Sequence, residues 1–354
     1  MAASKKLILV IGATGAQGRA VVDKLLAPAS DGSPSPYAVR GLTRDPTSKS
    51  AQELAAQGVE LITGSFTDMA VVQKALQGAY GAFVNTDNFN VGEATEIWVG
   101  IRTFELAKQV GTVKQYVWSG LDHLFKKGGY DPKYKTDHMD GKAIVSEWMS
   151  AQPSNEDMAW TVITTGPYMD AHLHFGPLYK RADGTHVFAS PLGGGHAPMV
   201  SLSDIGFFAR YTFDHPAATS GQNLAIASEM VSGAALARTF TEVTGIPAIY
   251  APQTLEQWFT NLVDPDIPVA SGERTKGDGS TTWKQNFSGW WSAYADDLVT
   301  RDMEWVRKVN PNGHTLASWM RENKYDGSWK TGLLKTVSDR KGAGPDLERI
   351  ALYK

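Results

Sequence analysis

The chain has 354 residues, of which 42% are hydrophobic, enough to bury one large core or two smaller ones. Its 34 basic and 37 acidic residues leave a net charge of −3, which gives no electrostatic reason to expect nucleic acid or an anionic membrane as a partner. There is no cysteine, which excludes a disulfide framework, a thiolate nucleophile and a cysteine-based metal site. The opening MAASKKLILVIG is too short in apolar residues for a secretory signal, and no stretch approaches a membrane span. A soluble cytoplasmic protein is the expectation.

The first 120 residues alternate between β-rich runs and helical patterns. Strands are predicted at Leu7–Ile11, Ala38–Thr43, Val59–Thr63, Gly81–Asn85 and Gln115–Ser119. Helices are predicted at Ala16–Leu26, Ser50–Gln57, Met69–Leu76 and Glu93–Val110, the last with Ile97, Ile101 and Phe104 on one face and Gly111 at its C-cap. Apolar strands alternating with helices imply a parallel sheet covered on both sides, a doubly wound α/β fold of Rossmann type. Ala27–Tyr37, rich in Pro, Ser and Gly, reads as a surface loop.

After residue 120 the alternation loosens. Residues 138–150 resume a helical period, 159–168 carry another buried strand, and Ser203 or Asp204 is a candidate helix cap. The segment 264–289 reads as a loop, and Trp290, Trp291, Tyr294, Trp305 and Trp319 read as helix packing. The predicted organisation is a dinucleotide-binding domain over 1–155. Residues 156–354 then supply the remaining strands and a smaller substrate-side region.

The loop between the first strand and helix is G-A-T-G-A-Q-G. Gly12 permits the turn, Gly15 lets backbone approach a pyrophosphate, and Gly18 lets helix and strand pack closely, while the helix N-terminus offers N–H groups to the anion. Thr14, Ala16 and Gln17 complete this cradle. The second strand ends in Thr43–Arg44, with Lys49 nearby and no leading acid, which favours NADP over NAD because Arg44 can grip the 2′-phosphate. At the same sheet edge, Ser65 and Phe66 are expected beside the adenine, and Asn85, Thr86 and Asp87 beside the ribose and pyrophosphate. Ser119 and Gly120 are expected beside the nicotinamide.

Taken together, "GATGAQG", "LTRDP", "YVWSGLDH", "HMDGKAIVSEWM", "TGPYMD" and "PMVSLSDIG" resemble the NmrA-like family of atypical short-chain dehydrogenase/reductases, over nearly the full length. The resemblance implies a Rossmann fold and NADP. It implies either of two functions: a reductase, or a non-catalytic NADP(H) sensor or transcriptional regulator acting through a protein partner. Ordinary short-chain dehydrogenases place a Tyr four residues before their Lys; here Lys142 follows His138. The resemblance makes Lys142 a cofactor contact and catalytic candidate. Tyr130, Tyr134 and Tyr168 are further proton sources. For Tyr168, packing on the nicotinamide ring is the first expectation, ahead of proton donation; Pro167 is expected to contact the cofactor, and His138 can also be a partly buried helix residue. His172 and His174 sit two residues apart without converging carboxylates, so no metal site is expected. The function that follows is NADPH-dependent reduction of a small carbonyl, imine or enone, in a pocket lined by Tyr168, Met169 and Phe175.

Overall fold

Strand β1 (Lys6–Ile11) is apolar on both faces, as a central strand of a covered sheet must be. Ile8 and Val10 point into one buried layer, Leu9 and Ile11 into the opposite one. The computed structural model describes residues 4–29, 31–171, 178–270, 272, 274–328, 343–344, 346 and 348–349. From β1 the chain alternates through α1 (Ala16–Leu26), β2 (Tyr37–Thr43), α2 (Lys49–Ala56), β3 (Glu60–Thr63), α3 (Met69–Leu76), β4 (Gly81–Val84), α4 (Asn88–Val110) and β5 (Gln115–Gly120). Every predicted strand and helix of this half is present within a few residues.

The second half begins with α5 (Leu124–Lys127), a 3₁₀ turn at Pro132–Tyr134, α6 (Asp137–Ser150) and β6 (Ala159–Thr164). After a 3₁₀ turn at Met169–Ala171 come β7 (Leu178–Lys180), β8 (His186–Ser190), β9 (Ala197–Met199), α7 (Leu202–Asp214), α8 (Pro216–Thr219), β10 (Gln222–Ala225) and β11 (Glu229–Val231). The remaining elements are α9 (Gly233–Thr244), β12 (Ala248–Pro252), α10 (Leu255–Phe259), α11 (Trp283–Ala295), α12 (Met303–Val309) and α13 (Leu316–Glu322).

Seven parallel strands form the main sheet in the order β10-β6-β5-β4-β1-β2-β3. The chain runs outward from β1 to β3, then returns to β4 on the other side of β1. That reversal opens a crevice at the carboxyl ends of β1 and β4, where ligands of such sheets bind. Helices α1 and α7 cover one face through Val21, Val22, Leu25, Ile205 and Phe208. Helices α3, α4 and α6 cover the other through Val72, Leu76, Phe104, Val145 and Met149. Strands β6 and β10, beyond residue 155, complete the sheet.

Several local readings shift. The buried face of α4 runs through Glu96, Val99, Gly100, Thr103, Phe104 and Ala107, rotated from the Ile97–Ile101 face. Its helix kinks at Gly92 and ends at Gly111 in the left-handed conformation, as expected. The cap of α7 is Ser201, whose hydroxyl accepts the Asp204 N–H, not Ser203 or Asp204. Residues 283–289 are the first turns of α11, not loop, because Thr282 and Gln285 form a capping box that starts the helix. Trp290, Trp291, Tyr294 and Trp319 share one aromatic core, whereas Trp305 packs on Phe208 of the sheet layer. His172, His174 and Phe175 lie outside the described residues. Among the described residues no helix is long and apolar enough to cross a membrane.

Candidate functional site

The glycine loop closes β1 onto α1. Gly12 has φ of +84°, a conformation that L side chains rarely adopt, and a Cβ there would lie 2.8 Å from the Asn85 carbonyl oxygen. A Cβ on Gly18 would overlap the Gly12 carbonyl, so glycine is required for the helix to meet the strand. Gly15 differs: its N–H donates to the Gly12 carbonyl at 2.9 Å, and a Cβ would touch only that oxygen, at 3.3 Å. Apart from that oxygen and its chain neighbours, the space within 4 Å of such a Cβ is empty. The N-cap Gly15 has no side chain to cap α1, so the helix's first turn faces that space with the positive end of its dipole. Gln17, in the same turn, is 3% exposed; its Oε1 accepts the Ser119 hydroxyl at 2.9 Å, while its Nε2 is buried without a partner. An orphaned buried donor beside an uncapped helix start fits an anionic ligand and so fits a dinucleotide.

The β2 end carries Arg44, exposed and free of any ion pair or hydrogen bond among the described residues. The Asp45 carboxylate accepts from the Thr47 N–H at 2.8 Å and the Thr47 hydroxyl at 2.6 Å, so it turns into its own loop. Lys49 starts α2 and lies 3.9 Å from Glu53. Ser65 closes the β3 turn through Thr67 at 2.8 Å, and Phe66 packs half-buried on the sheet layer.

Lys142 is the centre of the opposite wall. It reaches from α6 to the end of β4, with Nζ 3.3 Å from Asn85 Oδ1, 2.9 Å from the Thr86 carbonyl and 2.9 Å from Thr86 Oγ1. Glu96 Oε1 stands 3.1 Å from the same ammonium, and Glu96 is fully buried. The Glu96 carboxylate also accepts from Thr86 Oγ1 at 2.6 Å and Asn88 Nδ2 at 3.0 Å. Sequence reasoning missed Glu96, although its place in the series 96, 99, 103 and 107 puts it on the buried stripe of α4. Asp87 follows, held by the Asn90 amide. Burial raises its carboxyl pKa and the charge of Glu96 adds to this, against the opposing pull of Asn90, Lys142 and Arg44.

Across the crevice, Pro167 and Met169 dock on Val200 by backbone hydrogen bonds at 2.9 Å. The half-buried Tyr168 phenol is pushed up to about 12 by burial, with Asp87 and Asp170 contributing, and its hydroxyl has no partner among the described residues. Tyr134 is elsewhere engaged: it donates to Asp296 at 2.8 Å and joins no contact with Lys142 or Tyr168 among the described residues. Tyr130 is exposed and meets Phe125 edge-on.

The β5 end divides. Ser119 and Gly120 face α1 and α6, where Ser119 binds Gln17 and a Cβ on Gly120 would lie 2.7 Å from Ser146 Oγ. Asp122, two residues on, instead takes Arg301 in a two-pronged pair at 3.2 and 2.7 Å. The same guanidinium donates to the Ile226 and Thr165 carbonyls at 3.0 Å, so it gathers the ends of β5, β6 and β10.

His138, one turn before Lys142, is buried between Phe89 and Phe287. Asn286 of α11 accepts the His138 backbone N–H at 3.3 Å and stands with Nδ2 2.8 Å from the ring Nδ1. The amide oxygen is also 3.1 Å from Nδ1 but already accepts the backbone N–H, so the nearer Nδ2 is assigned as donor to Nδ1, which places the ring proton on Nε2. Burial lowers the imidazole pKa from 6.5 to about 4, so the ring is neutral at physiological pH. The unfolded chain therefore binds a proton that the fold refuses between pH 6.5 and 4. The stabilisation is complete above 6.5 and is lost as pH falls through 4, by roughly 3 kcal/mol. Urea unfolding at pH 7 and pH 4 should show that loss in the wild type and its absence in His138→Gln.

A glycine-rich β1–α1 turn at the reversal of a doubly wound parallel sheet defines an α/β protein of Rossmann type. The chain belongs to the NmrA-like family, whose model matches residues 4–277. A relative, the NmrA-like family domain-containing oxidoreductase malD of Malbranchea aurantiaca, is 29% identical over 287 residues, 76% of this chain and 80% of that protein. Among solved structures, the negative transcriptional regulator NmrA in complex with NADP superposes with a TM-score of 0.69 at 18% identity, covering 92% of this chain and 99% of that one. The NADPH-dependent quinone oxidoreductase QOR2 of Escherichia coli, complexed with NADPH, gives a TM-score of 0.66 at 20% identity, covering 90% and 100%.

Proposed function

We propose that the chain is a cytoplasmic NADPH-dependent reductase of a small carbonyl, imine or enone. Bound NADPH would supply a hydride. The first turn of α1, with Gly12, Thr14, Gly15, Ala16, Gln17 and Gly18, would hold its pyrophosphate, and Arg44 its 2′-phosphate, with Lys49 in reach. Asn85, Thr86, Asp87 and Lys142 would meet the ribose, Ser65 and Phe66 the adenine, and Ser119, Gly120 and Pro167 the nicotinamide side.

The observation that carries the reading is the Tyr168 phenol. It is protonated at neutral pH, half-buried on the crevice wall and without a hydrogen-bond partner among the described residues. Such a group holds a proton at its Oη for a reduced substrate oxygen or nitrogen. The test is NADPH oxidation against a panel of carbonyls, imines, enones and quinones. Tyr168→Phe should lower turnover about 100-fold and leave NADPH affinity within twofold, the mark of a group that acts in the transition state. An unchanged rate would remove Tyr168 from the reaction.

The cofactor preference has its own test. A charge-assisted contact to the 2′-phosphate is worth roughly 1.5–3 kcal/mol, so Arg44→Ala should erase one to two decades of the preference for NADPH over NADH in calorimetry. Equal wild-type affinities would end the arginine assignment.

A second reading, an NADP(H) sensor acting on a protein partner, is favoured by the Lys142 ammonium. Four protein oxygens surround it within 3.3 Å, which commits its donors before any substrate arrives. Tight NADPH binding with no turnover across the panel would select the sensor.

A further inference from the structure

His138 holds the helix position where ordinary short-chain dehydrogenases carry tyrosine, and the reductase reading above gives it no role. Its ring lies 5.1 Å from Phe89 and 5.4 Å from Phe287, centre to centre, at interplanar angles of 30° and 29°. Phe89, Phe287 and Trp283 are themselves near-parallel, at 9°, 26° and 22° to one another. Flat π-faces aligned in this way favour another flat π-system in offset stacking. Two N–H groups in the stack lack acceptors among the described residues. Trp283 Nε1 is buried and unpartnered, while His138 Nε2 makes no hydrogen bond to any described residue and is not sealed from solvent. Asn286 Oδ1 is engaged by the His138 backbone N–H, and its Nδ2 is the nearer amide atom to Nδ1, at 2.8 Å against 3.1 Å, so Nδ1 accepts and Nε2 carries the proton. The buried Trp283 donor is costly to leave unmet, and the solvent-reaching His138 Nε2 beside it is a place for an acceptor atom to dock.

We propose that His138 Nε2–H is the hydrogen-bond donor that seats the acceptor oxygen or nitrogen of a flat conjugated substrate on the Phe89–Phe287 stack. The substrate class narrows to aryl or otherwise conjugated carbonyls and imines, and saturated analogues are disfavoured by lack of stacking. The ring stays neutral through the physiological range, so it donates without carrying charge, beside an ammonium that is already paired. Asn286 is a positioning residue that fixes the tautomer.

The inference rests on the reductase reading, and the experiment separates the two. Equilibrium dialysis of the full chain, loaded with NADP so that no reduction occurs, would use 1-tetralone and its saturated counterpart 1-decalone. The wild type should bind 1-tetralone about tenfold more tightly than 1-decalone. His138→Leu should weaken 1-tetralone about tenfold, and His138→Gln, which keeps a donor, should stay within threefold. NADP affinity should be unchanged in both. Asn286→Leu, which frees the tautomer, should fall between them. Equal binding of the two ketones, or wild-type affinity in His138→Leu, overturns the proposal. Should the leucine variant fail to fold by circular dichroism, Phe89→Leu decides, and undiminished 1-tetralone binding there overturns the seat. NADPH oxidation is followed in parallel. Binding that depends on His138 without any turnover would sink the reductase reading and keep the seat; turnover unaffected by His138→Leu would do the reverse.

Discussion

Gly15→Val is expected to leave a folded chain that has lost NADPH binding by at least two decades. The reason lies in the difference between the three loop glycines. Gly12 needs a positive φ and Gly18 has no room for a Cβ, so substitution at either damages the fold. Gly15 has φ of −86°, and an added Cβ would meet only the Gly12 oxygen, at 3.3 Å. The branched methyl groups of valine would then project into the space before α1 that an anion needs, and would cover the N–H groups offered there. Calorimetric titration with NADPH, alongside circular dichroism, checks both halves. Wild-type affinity in the folded variant would show that the phosphate is bound elsewhere.

The second large effect is expected at Glu96. Replacing it with alanine leaves the buried Lys142 ammonium without its counter-charge and strips Thr86 and Asn88 of an acceptor. Breaking a buried pair from one side costs about 3–5 kcal/mol, so Glu96→Ala should be strongly destabilised in urea unfolding. The pair as a whole is another matter. A double variant, Glu96→Gln with Lys142→Met, removes both charges and keeps hydrogen-bonding capacity at 96. It should recover most of the loss, giving a coupling energy of about 2–3 kcal/mol in the cycle. Additive losses would mean that the two side chains act independently despite the 3.1 Å separation.

These two sites mark what the sequence could and could not reveal. The geometry of the glycine loop is legible because it depends on residues three apart, on one strand–helix joint. The alternation of strands and helices was equally local, and the sheet followed it. Glu96 was half-legible: helical spacing puts it on the buried stripe, but a carboxylate there has meaning only once Lys142, 46 positions later, is seen to meet it. Asn286 and Arg301 were not legible at all. Their partners, His138 and Asp122, are 148 and 179 residues away, and nothing in the local pattern of α11 or of the chain before α12 signals them. The stretch 264–289 looked like loop because Gly, Ser and Thr dominate it; the capping box at Thr282 marks where that composition gives way to helix.

Arg301 has a further consequence. It lies beyond residue 277, where the family match ends, yet its side chain is only 1% exposed, and it ties the ends of three neighbouring strands of the main sheet. The tail of this chain is therefore a keystone rather than an appendage. A shortened version cut at the limit of family likeness would leave Asp122, buried in the interior, with only the more distant Lys127 at 3.7 Å, and with it three loose strand ends bordering the crevice. Grafting this crevice onto another member of the family would have to carry the keystone along.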